Sequence, residues 1–409
     1  MGVVWGVARD RRIKVETRTR LSDLVSVGVL SQTFPSGLVD EVIAGCGRTE
    51  QRHRSLPAQT MAYFAIGMAL HSEGSYEDVL ALMTDGLSWA DPDAEPPTRP
   101  SKSAIFQARR RLGFEPLRAL FGRVAQPLAP ADASGAWLAG RRMLAIDGTT
   151  FDVADSDVND EWFGRPGVNK GERSAFPQAR MVAVAECGSH AILDAEIGPY
   201  TTPENTLARP LLDRLGPGVV LLADRGFCGF PLWQRAAATG ADLVWRASSV
   251  MKPRHIETLS DGTWLAELKP GGNARRNTAG VTIRVLEYSI DDGRDTSGPF
   301  RLFTTLVDPE EVSAEDLAYA YAQRWEIESV FDELKTHQRG ARTVLRSKSP
   351  DLVLQELWGH LCCHYAIRTL TYAAAIEAGV DPDRVSFVTA LGISRRSLSQ
   401  ARGFPPSAP

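Results

Sequence analysis

The rhythm of apolar and polar positions changes three times along the chain. Between residues 20 and 130 apolar residues recur at helical spacing, most clearly in "LPAQTMAYFAIGMALH" and "SYEDVLALMTDGL", where Ser75 is placed to cap the second helix. "DPDAEPPTRPS" is a Pro-rich linker, and "SKSAIFQARRRLG" then reads as a basic helix closed by Gly113.

Strands begin near residue 140. "RRMLAIDGTTFDV" is strand-like, and "ARMVAVAEC" and "HAILDAEIG" read as two strands around a turn at Gly188 and Ser189. "TPENTLARPLLDRL" predicts a helix capped by Thr202, with Pro203 at its first position. "GVVLLADRGF" is apolar without interruption up to Asp224, as in a strand buried on both faces. A short helix ("PLWQRAAATG") and a strand ("ADLVWRA") follow. From 250 to 308 the alternating segments "HIETL", "TWLAEL", "VTIRVLEYSI" and "FRLFTTLVD" predict a small β subdomain. From Ala314 the pattern is helical again until a polar, Pro-containing tail. The order β-β-β-α-β-α-β, a β insert and a long helix predicts an α/β core flanked by helices.

Composition narrows this picture. At roughly 100–200 residues per domain, 409 residues suggest two or three domains. A hydrophobic share of 43% with 23% charged residues suits a globular chain with a real core. No apolar run approaches the ~18 residues that span a bilayer, and the opening residues lack a secretory signal, so the expected setting is cytosolic with no membrane partner. Cys46, Cys187, Cys228, Cys362 and Cys363 show no paired spacing and are expected to be buried, reduced thiols. A net charge of -4 argues weakly against nucleic acid, but the charge is uneven. Residues 101–123 carry six basic residues and one acidic, and "RGARTVLRSK" is basic throughout.

The densest chemistry lies in "YAQRWEIESVFDELK", residues 321–335, which holds Glu326, Glu328, Asp332 and Glu333. On a helix with Tyr321 at zero, Arg324, Glu328 and Lys335 fall at about 300°, 340° and 320°, in one polar stripe with Tyr321. Ile327, Val330, Phe331 and Leu334 face the core between roughly 180° and 280°. Glu326 and Glu333 fall near 120–140°, where solvent is expected, and Asp332 is marginal. Glu328 is therefore the acid beside the buried face and between two cations. One reading is an amphipathic helix with i,i+4 ion pairs such as Arg324–Glu328. The other is a catalytic carboxylate. Asp147 within "MLAIDGTT" and Asp224 at the end of "VVLLADRGF" favour the second, because an acid in or ending a buried strand is costly unless paired or metal-bound. Ligands of open α/β sheets gather at the carboxyl ends of strands. Three carboxylates without His or Cys suit Mg²⁺ or Mn²⁺, and two such ions support phosphoryl transfer.

Tyr321, Arg324, Glu328 and Lys335 match the Y-x₂-R-x₃-E-x₆-K signature, so the chain resembles the insertion-sequence-four family of bacterial DDE transposases; "AIDGTT" and "LADRGF" are similar to that family's two aspartate motifs. The resemblance covers 40 to 370. It implies a ribonuclease-H-like catalytic core with a β-rich insertion, flanked by helical N- and C-terminal regions. The expected divisions are 1–138 (helical, DNA-end binding), 139–249 (core), 250–310 (insertion), 311–346 (core continued, with the glutamate helix) and 347–409 (helical). It implies cleavage at transposon ends and joining of the 3′-hydroxyl to target DNA. Asp147, Asp224 and Glu328 would hold the two ions, and Tyr321, Arg324 and Lys335 would grip the DNA end. By similarity Arg225, Arg246 and Trp325 are further DNA contacts; Arg225 as a surface ion pair and Trp325 as packing remain the plain alternatives. Trp264 is either strand packing or a platform for a flipped base. Arg109 and Arg110, in the basic helix, are candidates for contact with the terminal inverted repeats, or solvated surface. A homodimer on DNA is expected from the family, in the bacterial cytoplasm and on the nucleoid. A catalytically silent DNA-binding relic and a metal-dependent nuclease without joining are the competing functions.

Three other motifs point elsewhere and fail. "HLCCH" spaces His360 and His364 like a zinc helix but lacks the Glu after the first His. "DSDVND" opens like a calcium loop but lacks Gly at position six and has Pro166 where Glu is needed. Without a Walker A motif no nucleotide cofactor is implied.

Overall fold

The computed structural model describes residues 30–399 apart from 53, 82–99, 132, 168–172, 249, 272–277, 292–295 and 341–342. The first 29 residues, nearly all of the linker "DPDAEPPTRPS" and the polar tail lie outside the described residues.

Helices α1 (Ser36–Gly45), α2 (Ala58–Leu70), α3 (Lys102–Leu112) and α4 (Glu115–Val124) build the N-terminal region. Gly113, at φ 71°, ends α3 as its position predicts, and Ser75 Oγ accepts the Asp78 N–H at 3.1 Å. Strands β1 (Trp137–Leu138), β2 (Arg141–Asp152), β3 (Gln178–Glu186), β4 (Ile192–Pro199), β5 (Val219–Ala223) and β6 (Asp242–Arg246) follow, with α5 (Asp157–Phe163), α6 (Glu204–Leu212) and α7 (Phe230–Ala237) between them. α6 begins one residue later than expected: Pro203 is its cap and no side-chain bond caps it.

β2, β3 and β4 pair antiparallel, and β5 and β6 lie parallel to β2, in the order β4-β3-β2-β5-β6. This is the ribonuclease-H-like core. The insertion strands β7 (Arg254–Thr258), β8 (Trp264–Leu268), β9 (Val281–Asp291) and β10 (Thr296–Thr304) share its sheet, because β10 pairs antiparallel with β6. Trp264 packs half-buried against the core cluster beneath this extension.

Period-two alternation gives the sheet two cores. Leu144, Ile146, Leu221 and Ala223 face α6 and α7. Met143, Ala145, Val220 and Leu222 face the helical side, which holds α2, α8 (Ala314–Ala322), α9 (Glu326–Asp332) and α10 (Pro350–Ala378). α11 (Phe387–Ser399) closes the C-terminal region. Every residue of α10 from Leu352 to Arg368 is buried. Its Gly359 lets α2 approach closely, since a Cβ there would stand 2.5 Å from the Ala65 carbonyl oxygen. No described helix is long and apolar enough to cross a membrane.

The glutamate helix is not uniform. α8 passes through a 3₁₀ turn (Gln323–Trp325) into α9, which runs on into a π-helical turn (Glu333–Gln338). Such turns inside helices shift the phase of side chains and often mark functional places.

Candidate active site

β2 and β5 are parallel neighbours, with Ile146 opposite Ala223. Asp147, midway along β2, and Asp224, just past the end of β5, are the next residues and therefore stand side by side. Asp147 follows Met143 and Ala145 in alternation and leaves the sheet on the helical face. Asp224 has left its strand, and its Oδ1 accepts the Gly226 N–H at 2.6 Å. α9 supplies Glu328 from the other side.

Arg324 joins this group. Its guanidinium, 6% exposed with its residue, donates to Glu328 Oε1 at 2.8 Å and to Asp147 Oδ2 at 3.3 Å. Burial pushes the Asp147 carboxyl up to about 6, and the charges of Asp224 and Glu328 add to the rise against the Gly148 N–H and Arg324. Asp147 thus senses the charges of both other acids. Among the described residues no three acidic, His or Cys side chains form a ready metal cage; between Asp147 and Glu328 a guanidinium supplies the positive charge. All-oxygen donors and a cation already drawn between them fit a hard divalent ion.

The other expected residues divide. Lys335 is half-buried, donates to Thr149 Oγ1 at 3.1 Å, and is lowered in pKa by burial and by Arg339. Tyr321, expected to touch DNA, is 2% exposed; Arg324 lies 5.9 Å from its ring, and burial pushes its phenol up to about 12. Its position supports Arg324 from beneath. Trp325 is exposed, with the Arg324 guanidinium 5.2 Å from its ring. Arg225 is exposed and has no carboxylate partner among the described residues. Arg246 lies 4.2 Å over the Phe300 ring, which stacks on Tyr288.

Arg109 corrects an expectation. It is 1% exposed and donates to Gln355 Oε1 (2.8 Å), Tyr76 Oη (3.0 Å), Ser347 Oγ (3.1 Å) and the Leu352 carbonyl (3.3 Å). A guanidinium so enclosed ties the N-terminal region to α10 and does not face DNA; Arg110 beside it is exposed. The 339–348 stretch also turns inward in part: Arg346 donates to the Gly74 carbonyl at 2.7 Å, and Arg339 is buried over the Phe151 ring at 5.3 Å.

Glu326 and Glu333 were expected in solvent and are not there. Glu326 accepts the Gly188 N–H, and His190 lies 3.4 Å away. Glu333 accepts from Arg368 (Nε at 2.9 Å, and Nη2) and contacts His364 at 3.0 Å. Of the zinc-like pair, His364 is thus held by Glu333, and His360 Nδ1 meets Gln338 Nε2 at 3.2 Å. In the calcium-like stretch Arg165 pairs with Asp155 and with Asp160 at 2.9 Å. Thr149, Tyr288, Phe300 and Arg339 are the site neighbours that sequence reasoning missed. Thr149 is within "AIDGTT", and Arg339 follows Lys335 by four residues, one helical turn.

Residues 24–122 match the family described as insertion element 4 transposase N-terminal, and residues 138–366 match the transposase DDE domain. The chain belongs to the insertion-sequence-four family of DDE transposases. It is 30% identical over 372 residues to the transposase InsG for insertion sequence element IS4 of Escherichia coli (strain K12), covering 90% of this chain and 82% of that one. Among solved structures it is similar to a piggyBac transposase synaptic complex with hairpin DNA, at a TM-score of 0.46 and 12% identity, covering 94% of this chain and 82% of that one. Of the acids on the glutamate helix of this transposase, Glu328 is joined to Asp147 through Arg324.

Proposed function

We propose that this transposase binds the terminal inverted repeats of its element, cleaves DNA at the element's ends by metal-dependent phosphoryl transfer, and joins the freed 3′-hydroxyls to target DNA. The observation that carries this reading is Arg324 drawn between Asp147 and Glu328, with the charges of Asp224 and Glu328 both felt at Asp147. These three carboxylates would hold two Mg²⁺ or Mn²⁺ ions. When bound, such ions make water or a hydroxyl a competent nucleophile and stabilise the leaving oxygen.

The chain's own residues position the DNA. Arg324 exchanges its carboxylate partners for a phosphate of the DNA end, and Tyr321 keeps it on that side of the helix. Lys335, short of charge partners in its half-buried place, takes a second phosphate. Arg225, next to Asp224, and Arg246 and Trp325 would add cations and an exposed aromatic that suit a nucleic-acid strand. Two copies on paired ends form the synaptic dimer, on the bacterial nucleoid.

The test uses a duplex carrying the inverted repeat that flanks the protein's own gene, with Mn²⁺ or Mg²⁺ or with EDTA, and products run on a denaturing gel. Metal-dependent cleavage at the repeat's edge, followed by strand-transfer products with a target plasmid, is the expected result. Cleavage without transfer products would reduce the protein to a nuclease, and binding without cleavage in either metal would contradict the proposal.

A further inference from the structure

A second concave basic surface lies in the N-terminal region, built by residues outside the aspartate–glutamate site. The loop after α1 turns at Gly47 (φ 67°) and carries Arg48, Arg52 and Arg54. Together with Ala108, Arg111 and Leu112 of α3 it walls a cleft of about 520 Å³. The walls are fastened to each other. Arg48 donates to the Arg111 carbonyl at 3.4 Å and to Glu115 at 3.0 Å, and Arg111 donates to the Leu56 carbonyl at 3.4 Å.

The charge is unbalanced. Among the described residues Arg48 is the one arginine of the cleft with a carboxylate partner; Arg52, Arg54 and Arg111 have none. Arg52, Arg54 and Arg111 are exposed, and Glu50 is the one acid among the described lining residues. Several unpaired guanidiniums converging on one concavity favour a polyanion, because each can hold a phosphate bidentately.

The cleft continues onto a helix face. At about 100° per residue, Arg111, Gln107, Ser103, Arg110 and Phe106 of α3 follow one another over an arc of about 140°. All five are exposed, Phe106 at 44%. Ile105, Ala108, Arg109 and Leu112 fill the opposite, buried arc. Gln and Arg can each pair bidentately with a purine edge, and Phe can cover a thymine methyl. An acidic peptide offers nothing for that face to read, whereas duplex DNA offers both a backbone for the cleft and base edges for the helix.

We propose that the cleft between the loop at Arg48–Arg54 and α3 seats the phosphate backbone of duplex DNA, with Ser103, Phe106, Gln107 and Arg110 against base edges. This rests on the reading of the protein as a DNA-end binder and assigns that binding to named side chains.

The test measures the affinity of the full chain for two labelled duplexes, the flanking inverted repeat and a scrambled sequence, across a range of NaCl concentrations. Each lost phosphate contact lowers the log–log salt slope by about 0.9. The double variant Arg52→Ala/Arg54→Ala is expected to lose nearly two units of slope and to weaken on both duplexes alike, with its melting temperature unchanged. Gln107→Ala is expected to weaken about tenfold on the repeat alone. Arg235→Ala, already held by Asp213 elsewhere, keeps the wild-type slope. A wild-type slope in the double variant, while the wild type binds and cuts the repeat, overturns the cleft and leaves the proposed function standing. If the wild type binds neither duplex and cuts neither, both fall.

Discussion

Two carboxylates five residues apart on one helical rod, Glu328 and Glu333, sit in opposite settings. The Glu333 side chain is 12% exposed, and both its oxygens are taken by Arg368 and His364. The Glu328 side chain is 41% exposed, and its partner Arg324 is shared with Asp147. Both are acid–arginine pairs. One is closed and satisfied, which makes it a strut between the glutamate helix and α10. The other is open, sits beside two more acids, and rests on a guanidinium that can change partners. The two acids differ both in the saturation of their oxygens and in burial.

The comparison breaks first if the open side can be neutralised without consequence. Asp147→Asn or Asp224→Asn should lower the cleavage rate on the order of 10³-fold or more, while duplex binding by the same protein stays intact; cleavage gels and a binding titration check this. On the closed side the loss falls on stability. Glu333→Gln leaves the buried Arg368 uncompensated, and removing one partner of such a pair typically costs about 3–5 kcal/mol, read as a lower melting temperature with cleavage retained below it. The same side has a pH signature. Burial holds His360 and His364 down to about 3, so both are neutral in the folded chain. The unfolded chain takes up protons first below about 6.5, so stability is present above that pH and is lost as pH falls toward 3, at up to about 1.4 kcal/mol per pH unit for each histidine. Melting curves between pH 7 and 5 measure the slope, and His360→Gln should flatten it. The smallest effect belongs to Asp332, which pairs with His337 at 3.1 Å at the surface. Asp332→Asn should shift stability by less than about 0.5 kcal/mol and leave cleavage unchanged.

Much of this was legible in the sequence. The uninterrupted apolar run ending at Asp224 marked a central parallel strand, and the apolar strand around Asp147 marked that acid as costly unless paired or metal-bound. The wheel grouped Tyr321, Arg324, Glu328 and Lys335, and the structure keeps these residues near the aspartates. It also grouped Glu326 with Glu333, and both do approach His190. What the wheel could not say is what covers that side, because α10 and the 188–190 turn come from elsewhere in the chain. The 3₁₀ and π-helical turns, which move residues off a 100° step, were equally invisible. Arg109 is a different failure. It sits four residues after Ile105 and three before Leu112, on the apolar stripe of its own helix, so its burial was written in the spacing; its charge drew the eye to DNA instead.

The most direct measurement places Glu328→Gln beside wild type and Glu333→Gln, with Mn²⁺ and the flanking inverted repeat, on preparations whose melting temperatures are known. The account predicts that Glu328→Gln melts like wild type and binds the repeat but does not cut it, while Glu333→Gln melts early yet still cuts in the cold. Wild-type cleavage by a well-folded Glu328→Gln would contradict it.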